Sequence, residues 1–166
     1  MAIQGTYTYD YPRPALTTDC VLFCRDEKNV KDGKNELSVL LIERGGEPYK
    51  GCWAFPGGFL EMDETVEEGA VRELQEETGL VIAPGSGRLK QLGCYSRVDR
   101  DPRGRVITIA FYAVIPKAAV AGSDDASDAR WFPVSALPPL AFDHDQILAD
   151  ALRRLAAEPA VTEGTW

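Results

Sequence analysis

The sequence predicts an α+β fold, a layered sandwich of one β-sheet and two helices. Several apolar runs rich in β-branched residues predict strands, and these strands follow one another in hairpins instead of alternating with helices. Only two segments, one mid-chain and one near the C-terminal end, combine helical apolar spacing with helix start signals. The chain of 166 residues suits one domain covering 1–166, long enough to bury a core.

The predicted strands occupy both sides of the central acidic segment. Residues 15–25 and 37–43 predict a hairpin, because the polar stretch between them contains the turn-type pair Asp32-Gly33. A loop containing glycine and proline follows at 44–56. The later predicted strands are 89–96, 106–115 and 129–133.

Both predicted helices have start signals. Thr65 followed three residues later by Glu68 has the form of a capping box, and Thr78-Gly79 ends the same helix. Asp143 is the expected cap of the closing helix. A stripe at four-residue spacing faces the core from the first helix: Val66, Ala70 and Leu74.

Composition excludes several classes of function. A net charge of −8 does not supply the basic surface that a nucleic acid needs, so we expect no nucleic-acid partner. The four cysteines are scattered, without a pair at zinc-ligand spacing. No run approaches membrane-spanning length, and the start lacks the pattern of a secretory leader. A soluble cytoplasmic protein without membrane partners is the simplest expectation.

Most of the negative charge has one location. Residues 61–77 contain eight acids and a single base, Arg72, which gives this segment a charge of −7. Glu73, Glu76 and Glu77 stand at i, i+3 and i+4, so the helix places all three on one surface, where they repel one another. A divalent cation with carboxylate ligands would offset the repulsion. The alternative is a solvated helix face on which Arg72 pairs with Glu68 or Glu76.

The spacing of the acidic segment resembles the Nudix box. Gly58 is followed after five residues by Glu64, and after seven more by residues 72–80 with the sequence RELQEETGL. The preceding WAFPG at 53–57 is also similar to that family. The resemblance implies the Nudix fold, a mixed-sheet α/β/α sandwich that carries the box as a loop-helix-loop.

The resemblance also implies roles for residues of the box. Catalytic roles fall to Glu73, Glu76, Arg72 and Glu64, with Arg72 orienting the acids through Glu64. The metal ligands would be the side chains of Glu73, Glu76 and Glu77 and the backbone at Gly57. All-oxygen ligands favour Mg²⁺, with Mn²⁺ as the alternative.

The family hydrolyses a nucleoside diphosphate linked to another group. Metal ions would bind the diphosphate, polarise phosphorus and activate the attacking water. Glu73 and Glu76 are the leading candidates for the general base. An acid on a later loop is the alternative: Asp124, Asp125 or Asp128.

The segments 99–105 and 131–144 resemble the ADP-ribose pyrophosphatase branch of the family, which implies ADP-ribose as substrate, AMP and ribose 5-phosphate as products, and a homodimer. Arginines suit phosphate or ribose oxygens as forked donors, although an arginine at a hairpin tip is often only solvated. His144 is expected in the first turn of the closing helix instead of in catalysis. The candidate substrate-binding residues are Arg100, Arg103, Arg105, Tyr95 and Phe142.

Two other functions stay open at the level of sequence. Ser96 stands where many ADP-ribose pyrophosphatases have proline, and a tyrosine near that place, here Tyr95, is a mark of dinucleoside-polyphosphate hydrolases. Hydrolysis of a dinucleoside polyphosphate or of an oxidised nucleoside triphosphate is therefore the alternative reaction. A non-catalytic ADP-ribose sensor, a binding protein instead of an enzyme, is the third alternative. The intact Nudix box favours catalysis over this alternative.

Overall fold

The computed structural model describes residues 7–31, 34–122 and 126–158, without the side chains of 26–35. The predicted turn at Asp32-Gly33 and the candidate bases Asp124 and Asp125 lie outside the described residues. In chain order the elements are β1 (Ala15–Lys31), β2 (Lys34–Arg44), β3 (Trp53–Ala54), β4 (Gly57–Phe59), α1 (Val66–Thr78), β5 (Lys90–Tyr95), β6 (Val106–Val114), β7 (Ala126–Pro133) and α2 (His144–Ala157).

The strands form one mixed sheet with β1 at its centre. The order along the sheet is β3-β2-β1-β6-β5, while β4 also pairs with β1 and β7 with β2. β1 and β2 form the predicted antiparallel hairpin, whereas β1 runs parallel to β6 over the full length of β6. The predicted α+β class with a mixed sheet is confirmed.

The two helices cover opposite faces of the sheet. Successive side chains of a strand point to opposite faces, so β1 supplies both cores. Val21 and Phe23 pack with Ile147 and Leu148 of α2. The alternate residues of β1 pack with α1, in a second cluster that includes Cys20, Leu22, Ala70 and Leu74. The arrangement is an α/β/α sandwich.

The boundaries of α1 agree with the sequence prediction. Thr65 accepts the Glu68 backbone N–H and Glu68 accepts that of Thr65, which completes the capping box. Gly79 takes the left-handed conformation at φ 76° and donates to the Gln75 carbonyl oxygen. Ala70 and Leu74 of the predicted stripe are fully buried. Local signals therefore define this helix.

Other boundaries differ from the prediction. β1 and β2 extend into the polar stretch, because antiparallel backbone pairing does not require apolar side chains. Trp53–Ala54, expected in a loop, pairs with Ile42 and Glu43 of β2, and β7 begins at Ala126. Asp143 occupies the predicted N-cap position of α2, but its carboxylate binds Arg100 instead of the helix N–H groups.

No helix in the described ranges is long and apolar enough to cross a membrane.

The start of β1 lies beside β4, with Thr18 paired to Gly58 and Asp19 to Gly57. Through this contact the loop before α1 is held against the centre of the sheet.

Candidate active site

A pocket of about 540 Å³ lies at the end of the sheet where β1 begins and β2 ends. Its walls come from β1, the end of β2 and the loop after it, β4, the carboxylates of α1, the loop before β6 and the start of α2. Three of its acidic residues come from β1 and α1: Asp19, Glu73 and Glu77. Its basic and aromatic residues come from the other walls, and they include Arg44, Arg103 and Phe142.

Arg72 organises the carboxylates of the acidic helix. Its guanidinium donates to both oxygens of Glu64, at 2.9 Å from Nε and 2.7 Å from Nη2. Nη1 donates to Glu73 at 2.8 Å and to Glu76 at 3.1 Å. The contact with Glu64 that the sequence predicted is present, and so is the pairing with Glu76. Because the guanidinium is planar and has five N–H donors, one arginine can bind three carboxylates at once.

Two glycines before α1 support the acids directly. The Gly57 N–H donates to Oε2 of Glu77 at 2.9 Å, and Glu77 is buried. A Cβ at position 58 would lie 2.7 Å from Oε2 of Glu73, closer than real Cβ contacts come. A side chain at position 58 would therefore displace the Glu73 carboxylate from its present position.

The acids differ in protonation behaviour. Burial raises the pKa of Glu73 above its ordinary value, against the opposing effect of Arg72. The hydrogen bond from Arg72 lowers the pKa of Glu64, and the same bond raises the pKa of the arginine. Arg72 thus favours the charged form of Glu64, whereas burial disfavours the charged form of Glu73.

The donors fit a hard divalent cation. Glu73 and Glu77 line the pocket, Glu76 is 42% exposed beside them, and carboxylate and backbone oxygens are what Mg²⁺ and Mn²⁺ prefer. Within the described residues no three acidic, histidine or cysteine side chains already surround one point. Arg72 donates to Glu73 and Glu76, and the Gly57 N–H donates to Glu77.

A second group of pocket residues combines arginine with aromatic rings. The Arg103 guanidinium lies 4.9 Å from the ring centre of Phe59 and 5.4 Å from that of Phe142. Arg44 covers Phe142 at 4.9 Å, and the Tyr49 ring meets Phe142 edge-on at 4.8 Å. Such a cluster suits a planar base or an anionic ribose phosphate.

The structure brings three of the five candidate substrate-binding residues to this pocket: Arg100, Arg103 and Phe142. Arg100 is only 4% exposed and makes a two-bond pair with Asp143, at 2.7 and 3.0 Å, so its fork is used within the protein. Arg105 instead donates to the Ser96 carbonyl at 2.6 Å. Tyr95 lies in a second groove of about 390 Å³ and donates to Asp150 at 2.9 Å.

Sequence reasoning missed Asp19 and Arg44, and it placed His144 in the first turn of α2 without a role. His144 does begin α2, but it also lines the pocket. An acid inside a strand that is otherwise apolar was the available signal for Asp19. Arg44, at the end of β2, had no local signal.

Asp128, the candidate base within the described residues, pairs with Arg130 at 2.5 Å and accepts from the Ala129 N–H.

Comparison with known proteins identifies the family of the chain. A model of the NUDIX domain matches residues 14–155, most of the chain. The chain belongs to the Nudix family. This Nudix chain is 45% identical over 143 residues to an ADP-ribose pyrophosphatase of Methanocaldococcus jannaschii, which covers 86% of this chain and 76% of that protein. It is 36% identical to the ADPR responsive transcriptional repressor NtrR of Acinetobacter baylyi, over 88% of this chain and 56% of the repressor.

Solved Nudix structures share the fold. A MutT/nudix family protein from Enterococcus faecalis superposes with a TM-score of 0.81 at 34% identity, over 92% of this chain and 66% of that one. The NUDIX domain of Shewanella oneidensis NrtR, solved in complex with ADP ribose, gives a TM-score of 0.75 at 34% identity, over 89% and 94% of the two chains. The Nudix fold implied by the box is thus confirmed.

Proposed function

We propose that this Nudix hydrolase cleaves ADP-ribose to AMP and ribose 5-phosphate with a divalent metal ion. The observation that carries the proposal is one pocket lined by two chemically distinct groups of residues. Glu73 and Glu77 offer metal-binding oxygens, while Arg103 and Phe142 offer cationic and aromatic surfaces. A diphosphate between an adenosine and a ribose phosphate needs both kinds of surface.

In the proposed mechanism Glu73, Glu76, Glu77 and the Gly57 backbone hold Mg²⁺, with Mn²⁺ as the alternative. Bound there, the metal would offset the negative charge of the diphosphate, polarise phosphorus and lower the pKa of a water. Arg72 and Glu64 keep the carboxylates oriented through their hydrogen bonds. We propose that Glu73 or Glu76 is the general base that accepts the proton of the attacking water. The water oxygen bonds to phosphorus as the phosphorus–oxygen bond of the diphosphate breaks.

We propose that Arg103 and Phe142 contact the substrate directly. Arg103 is 37% exposed in its side chain and pairs with the buried Asp101, so it presents its outer face to the pocket. We assign Arg100 to the pocket wall, where its pair with Asp143 fixes the loop that carries Arg103. Arg105 and Tyr95, which lie on other surfaces, would reach substrate only through rearrangement or a second subunit.

The alternatives are hydrolysis of a dinucleoside polyphosphate or of an oxidised nucleoside triphosphate, and ADP-ribose sensing without catalysis. The similarity to an ADP-ribose pyrophosphatase over 76% of its length supports the enzyme, whereas the repressor is matched over only 56%. We further propose a single domain over 1–166, a homodimer, a cytoplasmic location and no nucleic-acid partner.

A substrate panel tests the proposal. ADP-ribose, diadenosine polyphosphates, nucleoside triphosphates and NADH are incubated with the purified protein and Mg²⁺ or Mn²⁺, and products are separated by chromatography. We expect AMP and ribose 5-phosphate from ADP-ribose at the highest kcat/KM, and loss of activity with EDTA. Binding of ADP-ribose without cleavage of any compound would establish the sensor instead.

Two variants test the metal ligands in the same assay. Glu76→Gln and Glu77→Gln keep the size of the side chain, and we expect each to lower kcat by about a hundredfold or more while the melting temperature stays close to that of the wild type. Glu67→Gln is the matched control on the same helix, because Glu67 accepts from the Gly85 N–H outside the pocket. Near-normal turnover in both site variants would refute the assignment.

A further inference from the structure

One buried group has no part in the proposed mechanism although it lines the pocket. His144 is 3% exposed and is the only histidine of the chain. Its Nδ1 accepts the Phe55 backbone N–H at 3.0 Å. The imidazole also stacks on the Phe55 ring, with the ring centres 4.9 Å apart and the planes 12° from parallel. Two separate contacts therefore join the first turn of α2 to the segment before β4.

The contacts of His144 define its tautomer. Because Nδ1 accepts a hydrogen bond, the proton of the neutral ring is on Nε2. Nε2 lies 3.6 Å from Oδ1 of Asp19, whose other oxygen accepts the Thr108 hydroxyl at 2.6 Å. Burial lowers the pKa of His144, against the opposing effect of Asp19, and so favours the neutral ring. With one nitrogen occupied and the other protonated, the ring has no lone pair for a substrate proton.

The segment held by His144 leads directly to a proposed metal ligand. The Pro56 carbonyl accepts the Cys20 N–H at 2.8 Å, and Gly57 pairs with Asp19 in the sheet. A Cβ on Gly57 would lie 2.8 Å from Oδ1 of Asp19, so this carboxylate packs against the glycine. On its other side the Gly57 N–H reaches Glu77. Residues 55–57 thus connect the imidazole with a carboxylate of α1.

We propose that His144 is a positioning residue of the active site. By accepting the Phe55 N–H it keeps residues 55–57 in register with β1, so that the Gly57 N–H orients the Glu77 carboxylate for the metal ion. The inference rests on the proposed function, because it is the proposed hydrolysis that gives Glu77 a metal to hold. Groups that orient a ligand from behind contribute about 10-fold to 100-fold to metal affinity or activity.

Two substitutions distinguish the role of Nδ1 from that of Nε2. His144→Asn retains an acceptor oxygen at the distance of Nδ1, whereas His144→Gln extends to the distance of Nε2 and has no acceptor at that of Nδ1. Both remove the ring and its stacking on Phe55, so their packing losses are matched. A positioning role through Phe55 requires that asparagine rescues and glutamine does not.

Two measurements without substrate report the effect. Hydrogen exchange followed by NMR gives the protection of the Phe55 and Gly57 amides, and electron paramagnetic resonance gives the affinity for Mn²⁺. In His144→Gln we expect faster exchange at both amides and about tenfold weaker Mn²⁺ binding, with His144→Asn near the wild type in both. An unchanged Gly57 amide in His144→Gln, or equal Mn²⁺ affinity in the two variants, would overturn the inference.

The wild-type protein supplies a test that does not depend on the folding of a variant. Because the chain has one histidine, its ring nitrogen signals in ¹⁵N NMR are unambiguous. We expect the Nε2–H tautomer, and an Nδ1–H tautomer would refute the proposal. These experiments use no nucleotide, so failure of the protein to cleave ADP-ribose would overturn the proposed function without altering their results.

Discussion

Arg72 is the residue on which the geometry of the carboxylates most depends. A single guanidinium binds Glu64, Glu73 and Glu76 and also donates to the Phe59 carbonyl at 3.1 Å. Lysine carries the same charge, but its ammonium is a point donor that cannot hold three acids in fixed directions. The shape of the cation, in addition to its charge, thus organises the site.

Arg72→Lys should therefore lower kcat by about 10-fold to 100-fold while the protein stays folded. Steady-state kinetics with ADP-ribose and circular dichroism would measure the two quantities. Arg88→Lys, at an exposed arginine, is the control and should leave kcat unchanged. Full activity in Arg72→Lys would show that charge alone suffices.

The raised pKa of Glu73 predicts how stability depends on pH in the metal-free protein. The folded state binds this proton more tightly than the unfolded state, so the contribution of Glu73 is fully present below the ordinary value of 4.5 and is lost as pH rises through the folded pKa. In EDTA, the free energy of unfolding of Glu73→Gln minus that of the wild type should therefore increase as pH rises from about 4.5 towards neutrality.

Urea denaturation at several pH values measures that difference. Glu68→Gln supplies a control of opposite sign, because the Thr65 N–H lowers the pKa of Glu68 and its contribution is lost as pH falls. A difference for Glu73→Gln that does not grow with pH would contradict the assigned effect of burial.

At the scale of elements, α1 was the best-predicted part of the molecule. Its capping box, its glycine terminus and its buried stripe depend on residues within four positions of one another, and all three are present. Backbone geometry alone fixes which of these side chains meet. The same reasoning placed Asp143 correctly at the N-cap of α2 but missed the partner of its carboxylate, because Arg100, 43 residues away, binds it.

Removal of the Thr65 hydroxyl tests the cap. Thr65→Ala leaves the Glu68 N–H without its partner, and we expect the free energy of unfolding to fall by about 1 kcal/mol. Thr8→Ala, at an exposed threonine of the lead-in, is the control and should have almost no effect. Equal stability of the two variants in urea denaturation would contradict a stabilising capping box.

At the scale of the whole molecule, the pair of Arg100 and Asp143 joins the loop before β6 to the start of α2. The side chains are 3% and 5% exposed, and the neighbours of both residues line the pocket. Loss of one partner leaves a buried charge without compensation. The pair therefore matters for the shape of the pocket as well as for stability.

Arg100→Ala and Asp143→Ala should each lower the free energy of unfolding by about 3 to 5 kcal/mol, and the double variant should lose less than their sum. Denaturation of the four proteins completes the double-mutant cycle. Arg97→Ala removes an exposed pair with Asp99 and should cost less than about 1 kcal/mol. Additive losses at Arg100 and Asp143 would show that the pair is not coupled.

The sequence by itself determined the family through the spacing of the box, and it determined the helix that carries Glu73, Glu76 and Glu77 through spacing along a few turns of backbone. The α+β class followed from the order of apolar runs along the chain. Only the tertiary structure decided which distant residues share the pocket. The parallel pairing of β1 with β6 brings Asp19 to Thr108, and the packing of α2 brings His144 to Phe55. Both pairs of residues are separated by 89 positions. No local periodicity encodes such contacts, since they depend on the order of strands in the sheet and on the face that each helix covers.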